Sequence, residues 1–171
     1  MKIKSVLIVS LAFMAIVSVT LLASCSKGIK CSYSTISFTV ADSEMTALTA
    51  YVNTLGLNPV KDPRGFYYII DNAGDAVKPA LCDNISFTYE GKLTNGTVFD
   101  QSSTPVTYAL GQLILGWQWS LPLIGQGGKI RLFLPPSLGY GNIDRKDGQG
   151  NVVIPKNSIL DFEVSLTAVK K

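Results

Sequence analysis

The chain has 171 residues, enough for one ordinary domain with a leader and a short extension. Its formal charge of +3 includes Lys2 and Lys4; without them the balance is 13 − 12 = +1, too even for the clustered basic face that nucleic acid requires. Histidine is absent, which removes Ser-His and Cys-His nucleophile pairs and argues against a catalytic zinc, so no metal is expected.

In chain order, Lys2 and Lys4 precede an apolar run from Val6 to Leu22, followed by Ala23-Ser24-Cys25. A basic start, an apolar middle and a small-residue end predict a secretory signal over residues 1–24. Leu22-Ala23-Ser24-Cys25 also matches the bacterial lipoprotein box, in which cleavage before the cysteine leaves a lipidated Cys25. A single transmembrane anchor is the alternative, since the run is nearly long enough to span. Two or three acyl chains on Cys25 suffice for stable anchoring. The chain is therefore expected in the cell envelope, lipid-anchored to a bacterial membrane and outside the cytoplasm. In that oxidising setting Cys31 and Cys82 could pair, or remain two unrelated thiols, because two cysteines fix no framework.

Residues 25–63 read as a tether and a short helix. Ser26 to Val40 is rich in Ser and Thr. Asp42 is placed to cap a helix whose Met45, Leu48, Val52 and Leu55 recur at three- and four-residue spacing, with Gly56 to end it. Asn58-Pro59 and Asp62-Pro63 break the chain, and a domain boundary is expected near Arg64, with the main domain over 64–171.

Within that domain Phe66 to Ile70 is an aromatic and β-branched strand. Ile85, Phe87 and Tyr89 alternate with Ser86, Thr88 and Glu90, a strand with one buried face. Asn95-Gly96 predicts a two-residue turn with positive φ twice, and the returning arm ends in Val98, Phe99 and Asp100. Tyr89 and Asp100 should then meet at the edge of an apolar face. Gln101 to Thr104 reads as a polar loop and Val106 to Leu110 as another short strand. Glycines bracket the clip Gly111 to Trp117, and Trp117 to Ile124 reads as one short helix despite Pro122. Lys129 to Leu134 is a strand stopped by Pro135-Pro136. The loop 137–157 is long and glycine-rich, which often marks function, and Ile159 to Val169 closes the chain as a strand. The fold class is α+β: a half-open antiparallel sheet of five or six strands wrapped around one short helix.

Taken together, Tyr89-Glu90-Gly91, Asn95 to Asp100, Gly116-Trp117, Ile130 to Pro136, Leu138-Gly139-Tyr140-Gly141, Ile154-Pro155 and Leu160 to Val164 resemble the FKBP-type peptidyl-prolyl cis-trans isomerases, from about Gly65 to Val169. Leader and helical extension resemble the envelope lipoprotein members of that family. The resemblance implies a prolyl pocket with Tyr89, Phe99 and Asp100 along one wall, Trp117 as floor and Phe162 behind. It implies that Ile114, beside Leu113, offers a backbone N–H and Tyr140 a hydroxyl to substrate carbonyls, and that Ile154 comes from the long loop. Val106 stands where the family usually has an aromatic, which implies a shallower wall. Tyr89, Asp100 and Tyr140 are thereby the candidate catalytic residues. Phe99, Val106, Leu113, Ile114, Trp117, Ile154 and Phe162 are the candidate substrate contacts. The implied partners are proline-containing polypeptides, with a membrane through the lipid anchor, no nucleic acid, no cofactor and a monomeric chain.

Taken singly, Trp117, Phe162 and Phe99 equally fit a plain core, Asp100 a turn acid and Tyr140 a loop anchor. Two other functions stay open: a non-catalytic module that uses the same pocket to bind proline segments, and an envelope holdase chaperone acting through the helix at Asp42–Leu55.

Overall fold

The computed structural model describes residues 31–171. Cys25 and the leader lie outside the described residues. Six strands form one sheet in the order β1 (Val60–Asp62), β2 (Phe66–Asn72), β5 (Lys129–Leu134), β8 (Leu160–Lys170), β3 (Asn84–Leu93) and β4 (Val98–Ala109). Every neighbouring pair is antiparallel. A separate ribbon of β6 (Arg145–Lys146) and β7 (Val152–Ile154) stands within the long loop. The expected α+β architecture is the observed one.

Period-two alternation divides the sheet into two faces. Phe87, Ile130, Leu132, Phe162 and Val164 face a concave core completed by helix α2 (Leu115–Ser120), through Trp117, and by the following Leu121 and Ile124. Phe133 and Tyr67 point the other way, where helix α1 (Asp42–Thr54) covers them with Leu48 and Val52. The stripe at three- and four-residue spacing is thus docked on its own sheet. Polar contacts fasten it. Tyr51 Oη donates to Asp161 Oδ2 at 3.1 Å, and Asp161 takes a two-pronged bond from Arg131 at 3.0 and 2.7 Å.

Several elements differ from their expected form. Asp42 opens α1 but does not cap it: Ala41 holds the cap position and makes no side-chain capping bond. Gly56, at φ +65°, follows the last helical turn as expected. The β3–β4 turn is one residue longer than predicted. Leu93 N–H donates to Thr97 O and Gly96 N–H to Leu93 O, both at 2.9 Å. Only Gly96 takes positive φ (+85°); Asn95 instead accepts the Thr97 N–H through Oδ1 at 3.0 Å. The polar loop expected at Gln101–Thr104 is part of strand β4, which runs unbroken to Ala109. Between the pairs Phe87↔Val106 and Tyr89↔Ser102, β4 spends two more residues than β3. That bulge, with Pro105, lies on a sheet edge, where both features block pairing with another chain. Helix α2 begins at Leu115, two residues before its expected start, and stops at Ser120, because Pro122 falls in a separate 3-10 turn (Leu121–Leu123).

From Cys31 onward the N-terminal segment is bound to the domain. Cys31 and Cys82 form a disulfide, the Tyr33 ring seats over Gly111, and Val40 is buried in the main core. Residues 31–171 form one compact unit, so packing continues across the boundary expected near Arg64.

The disulfide joins cysteines 51 positions apart, a loop whose closure restricts the unfolded chain and stabilises the fold by about 2–4 kcal/mol. Urea denaturation with and without reductant should differ by that amount. Equal midpoints would mean that the two thiols do not pair in solution.

Candidate functional site

Strands β3 and β8 lie side by side in the sheet and send alternate residues to the concave face, where α2 crosses them. Trp117 is held there by three rings: Phe87 at 5.0 Å, Phe162 at 5.1 Å and Tyr89 at 5.6 Å between centroids, with interplanar angles of 77°, 82° and 79°. Near-perpendicular packing sets the positive edge of one ring on the negative face of the next. The indole is only 5% exposed, and its Nε1–H has no hydrogen-bond partner among the described residues.

A cleft of about 290 Å³ opens beside this indole. One wall depends on the absence of a side chain. A Cβ at Gly91 would stand 2.6 Å from both the Phe99 and the Phe162 ring, so only glycine lets those rings meet edge to face at 5.5 Å. A second bulge in β4 completes the wall: Gly91 pairs with Asp100 and Lys92 with Val98, leaving Phe99 as the extra residue. Bulges re-aim side chains in this way. Asp100 thereby reaches Tyr89, whose hydroxyl donates to Asp100 Oδ2 at 2.7 Å.

Tyr140 lines the same cleft as this pair, with the Arg145 guanidinium 5.1 Å from the centre of its ring. Burial, then the hydrogen bond and charge of Asp100, push the Tyr89 phenol well above its usual range. Burial and the Asp100 charge also raise Tyr140, against a smaller opposing effect from Arg145. Both hydroxyls are therefore neutral hydrogen-bond donors throughout the physiological range.

The clip between β4 and α2 closes the third side. Leu110 N–H donates to Asp83 O and Gly111 N–H to Leu81 O, at 3.0 and 2.8 Å. Gln118 Nε2 donates to Leu113 O at 2.8 Å, locking the clip to α2. Ile114 caps α2 from this clip, and its N–H finds no acceptor among the described residues.

Tyr89, Asp100, Leu113, Ile114, Trp117, Tyr140 and Phe162 come together around one cleft, all anticipated from the sequence. Three expected contacts do not reach it. Phe99 lies one layer back, against Phe162. Val106 opposes Phe87 across the β3–β4 pair and packs on the core, its short side chain falling shy of the cleft. Ile154 is buried in the main core at 5% exposure. Phe87, Tyr108 and Gln112 line the cleft without having been singled out. Phe87 shares the alternation of Tyr89, and Tyr108 stands two residues beyond Val106 on the same face of β4, so period two carried the signal for both.

A family model described as FKBP-type peptidyl-prolyl cis-trans isomerase matches residues 76–167. The chain is 42% identical over 115 residues to the FKBP-type peptidyl-prolyl cis-trans isomerase FkpA of Buchnera aphidicola subsp. Schizaphis graminum, covering 64% of this chain and 43% of that protein. It is 37% identical over 134 residues to the peptidyl-prolyl cis-trans isomerase Mip of Coxiella burnetii, covering 77% and 55% respectively. The crystal structure of FkpA from Escherichia coli superposes with a TM-score of 0.64 at 32% identity, covering 75% of this chain and 60% of that one. The chain spans about half the length of these two sequence relatives.

The raised phenols set a pH dependence. Tyr51, pushed up to about 12 by burial and by Asp161, adds to Tyr89 and Tyr140. Above the ordinary tyrosine value near 10 the folded chain holds protons that the unfolded chain releases. Stability from these groups is therefore full below pH ~10 and is lost as pH rises through the folded values. Denaturation midpoints should fall steadily between pH 10 and 12. Asp100→Asn should bring two phenols back toward ordinary titration by phenolate absorbance and leave Tyr51 unmoved; an unchanged titration would remove Asp100 as a cause.

Proposed function

The chain belongs to the FKBP-type peptidyl-prolyl cis-trans isomerase family, and on that footing we propose that it accelerates rotation about Xaa-Pro bonds in exported or unfolded polypeptides. The observation that carries this reading is the aromatic cleft beside Trp117, apolar at its floor and hydrogen-bonding only at its rim.

The reaction breaks no covalent bond. Its barrier of about 18–20 kcal/mol is the loss of amide resonance, and the uncatalysed exchange takes tens to hundreds of seconds. In the twisted state the carbonyl is less dipolar and the prolyl nitrogen is a better acceptor. An apolar pocket formed by Trp117, Phe87 and Phe162 therefore disfavours the planar, polar amide relative to the twisted one. Each ~1.4 kcal/mol of this difference is worth about tenfold in rate. The Tyr140 hydroxyl and the Ile114 N–H hold carbonyls flanking the bond, so that rotation is confined to it. Asp100 orients the Tyr89 hydroxyl through their 2.7 Å hydrogen bond and is not assigned as a general base.

The proposal extends to organisation and place. Residues 1–24 act as a lipoprotein signal, Cys25 carries the lipid, and the domain works in the cell envelope as a monomer. Support comes from the lipoprotein box in the sequence and from the disulfide, a bond typical of oxidising compartments. No helix among the described residues is long and apolar enough to cross a membrane. The holdase alternative has less support, since Leu48 and Val52 of α1 are buried against Tyr67 and Phe133 of the sheet. The binding module keeps the same cleft and differs only in turnover.

A proline-limited peptide isomerisation assay separates these readings. The wild type should accelerate exchange, and Tyr140→Phe or Asp100→Ala should each lower kcat/KM by roughly 3–30-fold, the worth of about one hydrogen bond, with melting little changed. Binding without acceleration would leave the module; unchanged rates in both variants would remove these two residues from the site.

A further inference from the structure

Helix α1 lies on the convex face of the sheet, yet one of its side chains holds the turn that carries Tyr140 into the concave cleft. The turn starts at Pro135-Pro136, continues as a 3-10 turn over Pro136–Leu138 and passes through Gly139 to Tyr140. Most of its amides are satisfied internally. Leu138 N–H donates to Pro135 O at 3.1 Å, and the Gly139 and Gly141 N–H groups, one on each side of Tyr140, both donate to Pro136 O at 2.9 and 2.8 Å. Ser137 is different: its N–H is served from outside the turn, by Glu44 Oε2 at 3.1 Å, and the same oxygen takes the Ser137 hydroxyl at 2.5 Å.

One peptide unit thus sits at the centre. Its oxygen, from Pro136, holds both glycines around Tyr140, and its N–H, from Ser137, is held by a carboxylate. A charge-assisted bond on the N–H side polarises the unit and strengthens its carbonyl as an acceptor, by about 10–30% in hydrogen-bonded chains. It also fixes the plane of that peptide, and with it the direction in which Tyr140 leaves the turn. The two prolines lack an N–H, so Ser137 is the first amide after β5 through which another element can grip this turn.

We infer that Glu44 is a positioning residue for Tyr140: it anchors the Pro136–Ser137 peptide from α1, outside the segment matched by the family model, and so orders the cleft's hydroxyl donor. Its kinetic consequence rests on the isomerase reading; its structural consequence does not.

Amide hydrogen exchange on the full chain reads the anchor directly. Glu44→Ala should speed exchange at Gly139 and Gly141 at least threefold, whereas Glu44→Gln, which keeps a carbonyl acceptor, should restore most of the protection. Tyr51→Phe, which removes a different polar tie of α1, should leave both amides unchanged. In the isomerase assay Glu44→Ala should lower kcat/KM several-fold in the wild-type background and no further in Tyr140→Phe. Unchanged exchange in Glu44→Ala, equal loosening by Tyr51→Phe, or fully additive losses in the double variant would each overturn the inference. An inactive wild type would instead overturn the isomerase reading, and the exchange data alone would then decide the role of Glu44.

Discussion

The indole of Trp117, wedged edge-on among Phe87, Tyr89 and Phe162, is the contact on which the rest of the molecule depends. It comes from a helix of six residues, too short to be stable by itself. What keeps that helix in place is the ring cluster beneath it and the Gln118 bonds to the clip beside it. Because the rings approach at near right angles, they fill the floor without closing it over. The opening that remains is bounded by hydroxyls, one carboxylate and the Ile114 N–H, which has no acceptor among the described residues. Remove the indole and the curled sheet loses both its plug and the floor of its cleft.

The convex side is built by different means. There α1 caps a small second core of Leu48, Val52, Tyr67 and Phe133, and its polar flank reaches Asp161 through Tyr51 and Ser137 through Glu44. Asp161 is nearly buried, and the charge is tolerable because Arg131 meets both of its oxygens. Strand β8 therefore serves two layers at once: Phe162 and Val164 face the cleft side, while Asp161 between Leu160 and Phe162 secures the helix behind. With Cys31 fastened to Cys82, and Leu81 and Asp83 on either side of Cys82 accepting bonds from the clip, the N-terminal segment and the cleft share a common support.

Much of this was legible in the sequence wherever one face of a strand is buried. β3, β5 and β8 announce themselves by period two, and the apolar positions of α1 by three- and four-residue spacing. At Gln101–Thr104 strand β4 carries no alternation for the sequence to show, because it is an edge strand with a bulge there and Gln101, Ser103 and Thr104 are all exposed. The Asn95-Gly96 turn was located correctly but not its length, since the same dipeptide serves two- and three-residue loops. Val106 was expected in the site by resemblance, while Tyr108, two positions on and more exposed, is the side chain long enough to line the cleft. The Cys31–Cys82 pairing stayed open because separation in sequence carries no distance. Glu44 had no signal at all: its partner is 93 residues away, and only the fold brings them together.

The central claim, that a proline linkage sits beside one particular indole and twists there, meets its most direct test in the two tryptophans of this chain. Nuclear magnetic resonance of the full chain titrated with a short prolyl peptide would follow both indole N–H signals and, in the same sample, exchange between the peptide's cis and trans forms. The account predicts that the Trp117 signal moves while that of Trp119, on the far side of α2, stays in place, and that cis-trans exchange becomes visible at substoichiometric protein. Movement of Trp119 alone, or a shifted Trp117 with no faster exchange, would contradict it.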